Sequence, residues 1–201
     1  MGIKYAELAP NVVRRSDRAV GDEGWIESML RTVPVGTLGT VAGERPFLNT
    51  NLFVYEAETA SIYLHTARKG RTRSNVEAGE GQKVCFSVFG MGRLLPAEVA
   101  LEFSVEYAGV VVFGDMGVVT DEAEGLRVLQ LIMDKYAPHL VAGEDYRRPV
   151  AEELKRTTVL QLKIESWSGK RKVVADDFAG AYAYDGVVPM FDWRAEVGQK
   201  S

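Results

Sequence analysis

The sequence predicts a mainly β protein, a β-barrel of antiparallel strands with helices at its periphery. Segments with two-residue hydrophobic alternation follow one another between residues 35 and 66, separated by short polar turns. Glycines interrupt the long apolar stretch between residues 101 and 119, as the bends of a barrel require. The clearest helical patterns lie before and after this group of strands. These three observations favour a β-barrel with peripheral helices.

Each predicted helix has a recognisable start. Asp22 can cap a first helix, which a proline ends, and Asp121 can cap a longer one with Glu124 at the capping-box position. Pro138 ends this second helix. A short helix is expected to begin near Gly70 and to end at Gly79, and another is predicted over 150–156.

The strands are predicted over residues 35–41, 47–55, 61–66, 84–89, 101–119 (as a strand pair) and 158–165. A loop rich in Gly and Pro is expected from Gly90 to Pro96. Cys85 lies between apolar residues of its strand and is expected in the core. We find no internal repeat and no interdomain linker, so the 201 residues are expected to form a single domain, 1–201.

Composition excludes several classes of protein. A formal net charge of -4 argues against nucleic-acid binding, and no apolar run approaches the length of a membrane span. Cys85 is the only cysteine, so no intramolecular disulfide can form, and a cytoplasmic location is expected. No metal site is expected, because the two histidines, His65 and His139, lie far apart in sequence.

Two cationic segments are candidates for a ligand site. In the first, Arg68, Lys69, Arg71 and Arg73 follow a strand end and begin a helix, where a phosphate could be bound. In the second, the run 168–172 follows Trp167, whose indole could cover a flat ring. A solvated basic loop explains the first segment equally well, and an aromatic packed in the core explains Trp167. The ligand interpretation depends on the two segments acting together.

Several stretches together identify a resemblance, namely 34–40, 46–55, 62–67 with Gly70 and Arg71, 84–88 and 107–114. They resemble the flavin-binding branch of the pyridoxamine 5'-phosphate oxidase-like superfamily, close to the nitroimidazole-reductase-like proteins. The resemblance covers a core of about residues 13–172, leaving 175–201 as a C-terminal arm. It implies an FMN-binding split barrel of antiparallel Greek-key type, working as a homodimer with the flavin at the subunit interface.

The resemblance also implies which residues bind the cofactor, which is FMN, with FAD as the alternative. These residues are Asn49, Thr50, Asn51, Leu52, His65, Thr66, Ala67, Lys69, Gly70, Arg71, Thr72, Asn75, Trp167, Lys170 and Arg171. Trp167, Lys170 and Arg171 form a closing segment that the partner subunit could supply. Gly70 and Thr72 stand where many oxidase relatives have Ser and Lys, so phosphate binding is expected to depend more on Arg71 and Arg73.

The implied function is an FMN-binding oxidoreductase that reduces a small organic acceptor with electrons from NAD(P)H. His65 is the expected catalytic residue because it lies in a strand beside the anion site; packing by a hydrogen-bonded histidine is the alternative. Three other functions remain open: a non-catalytic flavin-binding or sensing protein, a haem- or deazaflavin-binding relative on the same fold, and a structural dimer with an empty cleft.

Overall fold

The computed structural model describes residues 4–78 and 81–186 of the chain. Its strands are β1 Ala19–Val20, β2 Gly36–Ala42, β3 Arg45–Asn51, β4 Val54–Glu56, β5 Ser61–Ala67, β6 Gln82–Leu95, β7 Ser104–Val118 and β8 Thr157–Lys172. Its α-helices are α1 Glu23–Thr32, α2 Arg71–Glu77, α3 Glu122–Tyr136 and α4 Ala151–Leu154. Short 3₁₀ helices occur at Tyr5–Glu7, Ser16–Arg18, Ala100–Glu102 and Tyr184–Gly186.

The strands form one sheet in the order β3-β2-β6-β7-β8-β5-β4, and β1 pairs with β8 beside this path. The pairs β2 with β3, β2 with β6, β4 with β5, β5 with β8 and β1 with β8 are antiparallel. The predicted class, a mainly β protein with antiparallel strands and peripheral helices, is therefore confirmed. The strand order has two ends, β3 and β4, so the sheet is a split and unclosed arrangement.

The two main helices begin where the sequence predicts. The Asp22 carboxylate accepts from the Trp25 N–H at 3.2 Å, and the Asp121 carboxylate accepts from the Glu124 N–H at 2.7 Å. Both contacts are N-caps, which satisfy an unpaired donor of the first helical turn. The Glu124 carboxylate accepts from Tyr63 Oη at 3.0 Å, which ties α3 to β5. None of the described helices combines the length and apolar character needed to cross a bilayer.

The prediction of one strand from Phe47 to Tyr55 is wrong, because the chain leaves β3 at Leu52 and Phe53. β3 pairs with β2 at one end of the strand order, whereas β4 pairs with β5 at the other end. A side chain of α3 holds the chain at this break, because the Phe53 N–H donates to Tyr136 Oη at 2.9 Å. The Phe53 ring is fully buried at this crossing. A residue 83 positions away thus decides where the strand ends.

Three other boundaries differ from the predictions. The expected loop from Gly90 to Pro96 is mostly strand, because β6 runs on to Leu95 and Leu94 exchanges two backbone hydrogen bonds with Tyr182. The expected strand pair over 101–119 is the single strand β7 after a 3₁₀ turn. β8 is seven residues longer than 158–165 at its C-terminal end. The predicted end of the helix at Gly79 lies outside the described residues.

Gly114 in β7 was expected to mark a bulge or a bend. The structure shows that it allows the backbones of β7 and β8 to approach each other closely. A Cβ at this position would lie 1.9 Å from the backbone oxygen of Lys163 in β8. Any side chain here would therefore force the two strands apart.

Cys85 was predicted to be buried, and this prediction is wrong. Val84 and Phe86 point into the core, so the alternation of the strand places Cys85 on the opposite, exposed face. The β2–β6 register pairs Cys85 with Gly39, and a Cβ on Gly39 would lie 2.8 Å from the Cys85 sulfur. A side chain at position 39 would therefore collide with Cys85.

The chain divides into two compact units. The first comprises the described parts of residues 1–89 and 109–170, and its core contains Leu38, Phe53, Ile62, Leu64 and Phe86. The second comprises the described parts of residues 90–108 and 171–201. The single domain over 1–201 stays a prediction.

The second unit is organised around an ion pair. Arg93 donates to both carboxylate oxygens of Glu106 at 2.9 Å, and Glu106 is only 9% exposed to solvent. The Arg93 guanidinium also donates to the backbone oxygen of Asp176 at 2.9 Å, and the Val174 N–H donates to Glu106 at 3.0 Å. This pair therefore fixes the first part of the C-terminal arm.

Candidate ligand-binding site

The end of β3 meets the start of α2 through polar side chains. Asn49 Nδ2 donates to Thr72 Oγ1 at 3.0 Å and to Asn51 Oδ1 at 3.3 Å. Asn51 Nδ2 donates to the Asn49 backbone oxygen at 3.0 Å. The structure thus brings together three of the predicted cofactor-binding residues, from two elements that are distant in sequence.

A cavity of about 470 Å³ lies beside this cluster. It is lined by the predicted residues Asn51, His65, Thr66 and Ala67, and by three residues that were not predicted, Glu153, Arg156 and Thr157. The β5–β8 register explains the combination, since Ala67 pairs with Thr157 and the residues just before β8 come with it. The ends of β3 and β5 and the start of β8 therefore share one polar cavity.

His65 is half-buried in the wall of this cavity. Its Nδ1 is buried and has no hydrogen-bond partner in the described part of the chain. Burial lowers the pKa of the imidazole below its ordinary value of 6.5, so the ring is neutral at pH 7. A neutral imidazole with one unused nitrogen can donate a hydrogen bond to a ligand, accept one from it, or bind a metal.

The four cationic residues of the turn divide into two pairs. Arg68 donates to the Leu154 backbone oxygen at 2.9 Å, and Arg73 donates to Thr158 Oγ1 at 2.8 Å, so both attach α2 and its turn to neighbouring elements. Lys69 and Arg71 are exposed and, among the residues that the structure describes, pair with no other group. The second pair is therefore available to an anionic ligand without loss of a protein contact among the described residues.

Other predicted site residues have structural contacts. Thr72 and Asn75 are 4% and 3% exposed, and Asn75 Nδ2 donates to Thr40 Oγ1 at 2.9 Å, which attaches α2 to β2. Thr50 Oγ1 lies 3.1 Å from Thr37 Oγ1 across the β2–β3 pair. Gly70 precedes α2 with φ of 156°, a conformation that glycine adopts readily. Leu52 is 44% exposed.

The segment around Trp167 lies elsewhere in the chain. The run 168–172 was expected to follow the last strand, but it forms the C-terminal end of β8, where Lys170 pairs with Ala19 of β1. The Trp167 ring contacts the Tyr55 ring edge-on, with 6.3 Å between centroids. Trp167 is ten residues along β8 from Thr157, which corresponds to about 33 Å of extended strand. Trp167 is accordingly not among the residues that line the cavity beside His65.

Sequence reasoning missed Glu153, Arg156 and Thr157 because strand pairing brings them to the cavity. No motif marks them. The one usable signal was the alternating strand that begins at about residue 157, whose partner could not be chosen from the sequence.

These features define a class of protein: an antiparallel split sheet with a polar cavity at the ends of two strands and unpaired cations in the adjoining turn. The model of the pyridoxamine 5'-phosphate oxidase family matches residues 22–171. The chain belongs to this family, as the sequence predicted. A search of curated proteins found no match to the chain.

Solved structures with the same fold include three of interest. A flavocytochrome from Azotobacter vinelandii is 24% identical to this chain with a TM-score of 0.70. The match covers 91% of this chain and 88% of the flavocytochrome. A FAD and haem binding protein from Mycobacterium smegmatis is 21% identical with a TM-score of 0.67, covering 82% and 81%. A proposed 5-nitroimidazole antibiotic resistance protein from Bacteroides thetaiotaomicron is 18% identical with a TM-score of 0.62, covering 76% and 86%.

Proposed function

We propose that the chain is an FMN-dependent oxidoreductase that uses NAD(P)H to reduce a small organic acceptor. The observation that carries the proposal is one cavity lined by Asn51 at the end of β3, by His65, Thr66 and Ala67 at the end of β5 and by Arg156, in a member of this family. The turn with Lys69 and Arg71 follows Ala67 directly in the chain. The related structures named for FAD support a flavin of either kind.

The residues at the cavity fit a flavin. Its ring carries hydrogen-bonding nitrogen and oxygen atoms, and Asn51 and Thr66 offer amide and hydroxyl groups in the cavity wall. Its phosphate is an anion, and Lys69 and Arg71 are unpaired cations within the described residues. A bound flavin supplies the hydride and electron transfer, and the protein supplies orientation and shielding from water. In this proposal His65 presents its unused Nδ1 to the substrate.

We propose further that the site is completed by a second copy of the chain. The closing segment of Trp167, Lys170 and Arg171 lies at the far end of β8 from Thr157, so in this proposal it acts on the partner's cavity. The outer face of β2, β3 and β6 carries Val41, Leu48 and Phe89, which are 44%, 68% and 62% exposed. Exposed apolar groups on one sheet face are typical of surfaces that a partner covers.

The first experiment is to purify the protein under mild conditions, record its visible spectrum and identify the released ligand by mass spectrometry. We expect FMN at about one per chain, and NADH or NADPH oxidation when an organic acceptor is present. Light scattering should give the mass of a dimer. A protein that neither retains nor takes up FMN or FAD would contradict the proposal. Flavin that NADH and NADPH cannot reduce would favour a non-catalytic binding protein.

A second candidate function is haem binding, with or without flavin. The observation that favours it is the neutral imidazole of His65 in the wall of a cavity, since a neutral histidine is the type of side chain that holds haem iron. The same visible spectrum decides, since haem gives an intense Soret band that flavin lacks.

The single cysteine of the chain supports a cytoplasmic location, which we also propose. Fractionation of the native cells would test it, with recovery in the cytoplasmic fraction as the expected result.

A further inference from the structure

A second cavity, of about 290 Å³, lies on the helical side of His65. Its other lining residues come from α3, from the segment before α4, from α4 itself and from the start of β8: Leu129, Ile132, Met133, Tyr146, Arg147, Pro149, Glu153 and Thr157. His65, Glu153 and Thr157 also line the polar cavity described above. The two cavities therefore share a wall, of which His65 is part.

The charged groups of this second cavity are already paired with each other. Arg147 donates to one oxygen of the Glu153 carboxylate at 2.8 Å, and the Val150 N–H donates to the other at 2.9 Å. Tyr146 Oη accepts from Gln130 Nε2 at 2.6 Å. These contacts hold the segment before α4 against α3. They also leave the cavity without a net charge to offer a ligand, since the His65 imidazole is neutral at pH 7.

The rest of the lining is mostly apolar, with one polar atom that lacks a hydrogen-bond partner among the described residues. Leu129, Met133 and Pro149 supply the apolar surface, and Met133 provides a sulfur that packs well against aromatic rings. His65 Nδ1 is the one buried side-chain atom of the lining without a partner among the described residues. Buried polar atoms in folded proteins normally have a partner, so this one indicates a ligand. The volume is near the lower limit of about 300 Å³ for ligand pockets.

We propose that this cavity binds the organic acceptor, and that the acceptor is a small, uncharged aromatic compound with one substituent that hydrogen-bonds to His65 Nδ1. This inference rests on the proposed function and specifies its substrate class. His65 then separates the cofactor side of the site from the acceptor side. A charged compound is expected to bind less tightly, because Arg147 and Glu153 already neutralise each other and offer its charge no free counter-ion.

The test uses benzamide as the uncharged aromatic probe and benzoate, which has nearly the same shape, as the charged probe. Each is titrated into the flavin-loaded protein, and binding is followed by ligand-observed NMR. We expect benzamide to bind at least about tenfold more tightly than benzoate, because an unpaired buried carboxylate costs more than 1.4 kcal/mol. Equal binding of the two probes would overturn the proposal.

Two variants locate the binding. Met133→Trp fills the cavity and should weaken benzamide binding at least about tenfold while flavin content stays at the wild-type level. Leu101→Trp places the same side chain on a residue that is 94% exposed and outside this cavity, and it should leave benzamide binding unchanged. If Met133→Trp does not fold, Leu129→Phe fills the cavity less and should weaken binding by a smaller factor.

Four outcomes separate this inference from the proposed function. Benzamide that binds Met133→Trp as tightly as wild type overturns the inference. So does a flavin-loaded protein that binds no benzamide, although the flavin proposal then stands. Purified protein that carries haem, which Met133→Trp loses, would assign the cavity to haem instead. A protein without flavin that still binds benzamide, and loses it in Met133→Trp, contradicts only the flavin proposal.

Discussion

Arg93 and Arg71 each follow a glycine, but they differ in their contacts. Arg93 belongs to the second unit and Arg71 to the first. Arg93 donates to Glu106 and to the backbone of Asp176, so its guanidinium is saturated by the protein itself. Arg71 is exposed and, within the described residues, has no partner. The sequence context Gly-Arg is the same, but only the structure separates an arginine that holds the fold from one that can hold a ligand.

The pKa of Glu106, the carboxylate that pairs with Arg93, reflects this contact. The Arg93 guanidinium, with help from the Val174 N–H, lowers the pKa of Glu106 from 4.5 to about 2. Because the folded state lowers this pKa, the contact stabilises the fold fully above pH 4.5, and its contribution disappears as the pH falls towards 2.

The largest effect is expected for Arg93→Ala. This change leaves the Glu106 carboxylate without its counter-ion at 9% exposure and removes the guanidinium donors to the C-terminal arm, so we expect the melting temperature at pH 7 to fall by at least about 6 °C. Differential scanning calorimetry measures it. Arg31→Ala, which breaks an exposed pair with Glu27, is the control and should shift the melting temperature by less than about 2 °C. Equal shifts would show that the Arg93 contact is no more important than a surface pair.

The next largest effect is expected for Arg71→Ala, on flavin affinity. Loss of one charge-assisted hydrogen bond to phosphate should raise the FMN dissociation constant by about 10- to 100-fold. The melting temperature without flavin should not change, because the side chain makes no contact within the described residues. Arg45→Ala, another exposed arginine, is the matched control in a fluorescence titration. If both variants bind FMN as wild type does, the phosphate is held elsewhere.

The smallest effect is expected for the pH dependence of stability that His65 causes. Burial lowers the pKa of the folded imidazole below 6.5, so the unfolded chain binds more protons as the pH falls through 6.5, and the fold loses stability. Replacement by Gln removes the titration. Between pH 7 and pH 5, we expect the melting temperature of the wild type to fall further than that of His65→Gln. Parallel curves for the two proteins would show that His65 is not desolvated.

The sequence predicted features that depend on local contacts and failed where distant contacts decide. The caps at Asp22 and Asp121 are set within three residues, and both were found. The split between β3 and β4 depends on Tyr136, which lies 83 positions from Phe53, and no local pattern marks it. In the site, the ends of β3 and β5 were predicted, whereas Arg156 was missed because only the β5–β8 pairing places it there.

We propose that each site needs the turn of one chain and the closing segment of another. Arg71→Ala and the double variant Lys170→Ala/Arg171→Ala should each bind FMN weakly, since every site in either dimer lacks one part. Equal amounts of the two, mixed so that subunits exchange at random, form mixed dimers with one intact site each. The FMN titration should then show wild-type affinity at about a quarter of the sites. A mixture that binds no better than its two components would contradict the account.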